Sequence, residues 1–193
     1  MLSAAALLQG VDRFGGYVSM AGTSRSILDT GIEQIRNVRL KQGGDPANVD
    51  AALAAFREAI FKSDSLPPDF SAIPEAKVLW AASRDPLQAG VVRELLLADP
   101  MAVARSYRGR ALVITAEHDL QVPRYDADHL FAGLASPATT KKEVVIADAN
   151  HVFRHEPRAP AAIDPVAAAQ GYTDPARPLA AGLVEALVAF AQA

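Results

Sequence analysis

Two kinds of hydrophobic spacing divide the chain. Between residues 27 and 106 apolar positions recur at helical intervals, and after residue 107 they come in short uninterrupted runs. Ile27, Leu28, Ile32, Ile35, Val38 and Leu40 predict a helix over 27–42, stopped by Gly43-Gly44. Asp45-Pro46, a capping acid and then proline at the first helical position, starts a helix to about Phe61. A loop with Pro67, Pro68 and Pro74 follows, then a short helix over Lys77–Ala82. Asp85-Pro86 and Asp99-Pro100 repeat the helix-start signature, the first for a helix through Leu97. No strand is expected between 27 and 106.

Outside that block the pattern changes. Ala111–Ala116 and Glu143–Ala147 are apolar runs of the kind buried on both faces of a parallel sheet. Arg124–Leu134 reads as a helix between them, and Pro178–Gln192 as a final amphipathic helix after a long loop from Asp148. Tyr17–Ala21 is a β-prone run ended by Gly22, and Leu2–Gln9 has helical composition. Strand–helix–strand–helix order implies an α/β fold with a parallel sheet of about three strands. Residues 1–26 and 107–193 then form the core, and 27–106 form an inserted helical cap.

Composition narrows the chemistry. The 193 residues are half apolar and carry a net charge of −3 without a Lys/Arg stripe, which excludes a nucleic-acid footprint. The Lys141-Lys142 doublet is expected at the surface where a strand begins. Without cysteine, disulfides, thiolate zinc sites and thiol nucleophiles are excluded. No apolar run is long enough to span a membrane, and Met1–Leu8 lack the basic start of a secretory leader. The compartment stays open, with the cytoplasm favoured.

The chemistry gathers where the two apolar runs end. In open parallel sheets ligands sit at the carboxyl ends of strands. The loops Glu117–Pro123 and Asp148–Phe153 both fall there and carry Asp119 and His151. Imidazole is a base near neutrality, and a carboxylate on its other ring nitrogen fixes the tautomer and stabilises the imidazolium. On adjacent strands, Asp119 and His151 can form that couple across 32 positions.

These two loops resemble those of the α/β-hydrolases. Glu117–Pro123 is similar to the family's acid loop, often written G-x-x-D-x-x-V-P, with Ala116 or Glu117 where a glycine is commoner. Ala149-Asn150-His151-Val152-Phe153 is similar to its histidine loop. The resemblance extends over the whole chain and is strongest to the serine-aminopeptidase-like and dienelactone-hydrolase-like branches. It implies hydrolysis of a carboxylic ester through an acyl-enzyme, with His151 as general base and then acid, Asp119 as its orienting partner, and no cofactor. The implied substrate is a small-molecule ester or a short peptide, so an aminopeptidase or amidase remains the alternative; Asp45, Asp50 and Glu58 are candidates to hold a substrate amine.

The family's G-x-S-x-G nucleophile motif does not occur in the sequence. Gly22-Thr23-Ser24-Arg25-Ser26 comes nearest but lacks the last glycine. Ser24 is therefore the weak alternative nucleophile. The favoured expectation makes Tyr17–Ala21 the family's sixth strand and Met1–Ala6 the helix after the nucleophile turn, since members often read G-H-S-x-G-G-M-L there. The chain then starts just past the serine, lacks the oxyanion hole, and is inactive alone or a non-catalytic remnant. A partial sheet would also leave an edge for self-association.

Several residues carry plainer expectations. His155 is the fallback base and His118 is structural. His151, His155 and Glu156 lack zincin spacing, so no metal is expected. Glu33, Arg36 and Arg39 form an exposed face with local ion pairs, and Phe56 and Trp80 are core before they are pocket.

Overall fold

A computed structural model describes residues 15–62 and 66–193, apart from the side chains of Pro165, Val166 and Ala169. The helix expected at Leu2–Gln9 and the family likeness of Met1–Ala6 lie outside the described residues. The chain divides into two compact units, one holding residues up to Arg25 together with Asp99–Ala193, the other Ser26–Ala98.

The first unit is α/β. Strands β1 (Tyr17–Met20), β2 (Ala111–Ala116) and β3 (Lys141–Ile146) form a parallel sheet in the order β1-β2-β3. Tyr17 pairs with Ala111, and Ala111 in turn with Lys141, so the sheet runs in even register to Ala116 opposite Ile146. This arrangement is the α/β fold with a three-stranded parallel sheet that the sequence pattern predicts.

All of β2 is buried, and its alternating side chains feed two cores. Leu112, Ile114 and Ala116 face a cluster with Ile146, Phe153 and Leu183. Ala111 and Val113 face Ala104, Tyr107, Ala127, Leu130 and Leu134. The first cluster is closed by the last helix, Leu183–Gln192, which begins later than expected. Pro178–Ala180 are instead tied to the histidine loop, and Gly182 turns into the helix at φ 87°, a left-handed conformation.

The expectation for the second apolar run was too strong. β3 starts at Lys141 and only Ile146 in it is buried, because β3 is bonded on one side only and lies at an edge of the three-stranded sheet. Lys141 donates from Nζ to the carbonyls of Phe131 and Leu134, closing the C-terminus of the helix Arg124–Gly133.

The boundary at 106 also moves. The helix Pro100–Ser106 belongs with the sheet: Asp99 caps it, Ala104 is buried in the second sheet core, and Ala135 N–H donates to the Ala104 carbonyl. The inserted helical block therefore ends at Ala98.

That block contains α1 (Ile27–Lys41), α2 (Pro46–Phe61), α3 (Ala76–Arg84) and α4 (Ala89–Leu97). Ser26 and Asp45 cap the first two by accepting from the N–H groups of Asp29 and Asn48. Its own core joins Leu28, Val49, Leu53, Phe56, Ile60, Ile73 and Leu96. Phe56, fully enclosed, meets Phe70 edge-on, and Phe70 meets Trp80, so both aromatics named from the sequence are packing residues. Arg36 and Arg39 do pair, but with other elements: Arg36 with Asp50 on α2, and Arg39 with Glu75 and the Ala72 carbonyl.

Candidate acid–base site

The sheet register sets the site. With Ala116 opposite Ile146, the loops after β2 and β3 leave side by side, and the backbone stitches them together. Glu117 N–H donates to the Ile146 carbonyl at 3.0 Å and His118 N–H to that of Ala149 at 2.9 Å.

Each loop then fixes its own candidate side chain. Asp119 Oδ1 accepts from the N–H groups of Gln121 and Val122 at 2.7 and 3.0 Å, a local turn that orients the carboxyl. Asn150 does the same for the second loop, its Oδ1 accepting from Val152 and Arg154 N–H. Phe153 takes a left-handed φ of 58° there and buries its ring in the sheet core.

The result brings Asp119 and His151 together: His151 Nδ1 lies 2.9 Å from Asp119 Oδ2. The Asp119 side chain is 2% exposed and the imidazole 24%. An ionised carboxylate only accepts, so Nδ1 carries the hydrogen and Nε2 of the neutral ring holds a lone pair. A buried acid orienting a solvent-accessible imidazole can take a proton from a group approaching Nε2 and return it.

Tyr172 was missed by the sequence reading. Its ring centroid is 6.1 Å from that of His151. Burial pushes its hydroxyl pKa up, a hydrogen bond with Gln121 opposes this, and the Asp119 charge adds to the rise. No motif marks it, since it lies 21 positions beyond His151 in an Ala/Pro-rich loop.

A cluster of ion pairs holds the second loop from behind. Glu156 is buried and bound by both Arg158 and Arg177. The Arg158 hydrogen bonds lower its pKa to about 2, with burial opposing and Arg177 assisting. Glu156 N–H donates to the Asp148 carbonyl, and its own carbonyl accepts from His118 Nδ1 at 2.6 Å. His118 is thus a structural link between the two loops.

The other named residues lie elsewhere or are engaged. The hydroxyl and the N–H of Ser24 both donate to Asp126 Oδ1, at 2.7 and 2.9 Å, and Ser24 is buried. Asp126, fully enclosed, also holds Arg25. His155 is exposed, its N–H donating to the Pro178 carbonyl. With His151 on Asp119 and Glu156 on two arginines, the H-x-x-x-H-E stretch offers no shared ligand set. A different group comes together among the described residues: Glu117, His118 and Asp148 bring one ligand atom each within 4.8 Å of one another.

The carboxylates considered for a substrate amine have local partners. Asp50 is bound by Arg36, Glu58 by Lys62, and Asp45 caps α2. A hollow of about 430 Å³ on the helical unit is lined by Asn48, Ala52, Ala55, Asp69, Ser71 and Ala72, without Phe56 or Trp80.

No protein-family model matches the chain, and no curated protein is significantly similar to it. Two solved structures from Mycobacterium tuberculosis resemble it. One is BpoC of strain H37Rv, assigned as a non-heme bromoperoxidase, and the other is Rv0554. Each is 16% identical with a TM-score of 0.40, over 78% of this chain and 55% and 54% of theirs. The chain thus spans about half the length of the structures it resembles, and likeness at this level assigns it no activity.

Proposed function

We propose that Asp119 and His151 are the acid–base couple of an α/β-hydrolase-type site acting on carboxylic esters. The observation that carries this reading is the 2.9 Å contact between His151 Nδ1 and a buried Asp119 at the ends of adjacent parallel strands. His151 accepts at Nε2 the proton of the attacking nucleophile, here a water whose oxygen bonds the ester carbonyl carbon, and Asp119 stabilises the imidazolium. The proton is then passed to the departing alcohol as its C–O bond breaks, leaving the carboxylic acid.

Ser24 is not that nucleophile, because its proton is committed to a carboxylate already neutralised by Arg25. Ester hydrolysis is preferred over aminopeptidase action, because Asp45, Asp50 and Glu58 are each used within the helical unit.

The test uses p-nitrophenyl acetate, an ester activated enough for an oriented imidazole to promote its hydrolysis without a serine. We expect slow hydrolysis that His151→Ala reduces at least tenfold and Ser24→Ala leaves unchanged, with no fluorophosphonate adduct on Ser24. An unchanged rate in His151→Ala would overturn the acid–base assignment, and an adduct on Ser24 would restore that serine as nucleophile.

A further inference from the structure

We propose that Glu117, His118 and Asp148 bind a divalent transition-metal ion of the zinc type, on the loops that carry the acid–base couple but through different side chains. Glu117 and His118 follow β2 directly, and Asp148 follows β3 at the same level of the sheet, because Ala116 and Ile146 are register partners. Their ligand atoms lie within 4.8 Å of one another. Around a shared zinc ion such atoms stand roughly 3.5 Å apart, given metal–ligand bonds near 2.1 Å. Only a small closure is needed, and Glu117, about half exposed, is able to supply it.

His118 gives the cluster its direction. Its Nδ1 lies 2.6 Å from the Glu156 carbonyl oxygen, which can only accept, so Nδ1 carries the hydrogen. Nε2 is then the lone-pair nitrogen, and it is the atom turned toward Glu117, 4.0 Å from Oε2. The ring is 11% exposed and tied to a second loop, so it is held in that orientation. A ring N–H donated to a backbone carbonyl, with the opposite nitrogen aimed at carboxylates, is how proteins set a histidine to ligate metal.

Glu117 Oε2 accepts from the Asp148 N–H at 3.2 Å, so the backbone of the second loop holds that carboxylate beside the imidazole lone pair. One imidazole and two carboxylates suit zinc and manganese, and three protein ligands leave positions for water. A proton on Nε2 is the competing occupant.

The test is isothermal titration of zinc chloride into the full chain at neutral pH, with substoichiometric manganese as a paramagnetic probe by NMR. His118→Ala is unsuitable because it also breaks the bond to Glu156. Glu117→Gln and Asp148→Asn keep that bond, and asparagine tolerates the left-handed φ of 48° at residue 148. We expect one saturable zinc site, at least tenfold weaker in each variant, and manganese broadening centred on His118 and Asp148. The proposal is overturned if zinc does not saturate or if both variants bind as tightly as the wild type. Broadening centred on His129 or His155, or a His118 Nε2 still protonated at saturating zinc, would also overturn it.

Discussion

Glu156→Gln removes one charge from the cluster behind the histidine loop while keeping the side chain's shape. Glu156 is 3% exposed and takes both guanidinium hydrogen bonds of Arg158 at 2.7 Å and one from Arg177 at 2.5 Å. These lower its pKa from 4.5 to about 2. A shift of that size corresponds to about 3 kcal/mol of preference for the charged form in the folded chain. Arg158 is half in solvent, which screens part of the attraction, so the expected loss in the glutamine variant is about 2–3 kcal/mol at neutral pH.

The folded pKa lies below the unfolded one, so this stabilisation is complete above about pH 5 and fades as the pH falls toward 2. By pH 3 less than half of it remains. Urea unfolding followed by circular dichroism at pH 7 and pH 3 reads both quantities. The variant should be weaker than wild type by about 2–3 kcal/mol at pH 7 and by only about 1 kcal/mol at pH 3. Equal losses at the two pH values, or a loss under about 0.5 kcal/mol at pH 7, would show that Glu156 does not hold the loop by its charge.

Asp119→Asn keeps an oxygen for the turn at Gln121 and Val122 but removes the charged acceptor from His151. It should abolish the downfield Nδ1–H proton resonance of the imidazole while shifting the melting midpoint little. Asp126→Ala leaves Arg25 and the Ser24 groups without their buried partner and should cost about 3–5 kcal/mol in urea unfolding. Burial pushes the Asp126 pKa up, but the Arg25 and Ser24 hydrogen bonds outweigh it, so the contribution of Asp126 also decays on acidification. Phe56→Ala should cost about 3–5 kcal/mol, seen by hydrogen exchange as lost protection in the amides of Ser26–Ala98.

Much of this architecture is legible in local sequence because local physics decides it. Capping acids before prolines mark the starts at Asp45 and Asp99, and both cap as expected. At Asp85-Pro86 the acid instead bonds Leu87 N–H within a turn, and the helix waits until Ala89. Composition misleads for β3. An apolar run looks the same at the centre or the edge of a sheet, and only the strand order, a non-local property, separates them.

The contact between Asp119 and His151 was readable for a related reason. Parallel strands bring their carboxyl ends to one edge, so two polar loops after two apolar runs become neighbours whatever the distance between them in the chain. What holds them in place carries no such signature. His118 reaches the Glu156 carbonyl across 38 positions, and Glu156 draws on Arg177 a further 21 positions along. A backbone carbonyl can be supplied by any residue, so the sequence places His118 beside Asp119 without showing what its ring will meet. Hence the Asp119–His151 contact follows from strand ends and residue type, whereas Tyr172, Glu156 and the Glu117–His118–Asp148 cluster emerge only once the loops are folded against each other. The two kinds of residue should also fail differently. Removing charge at Asp119 should change the proton on His151 and leave the loops standing, while removing it at Glu156 should loosen the loop that holds His151 and leave the Asp119 turn intact.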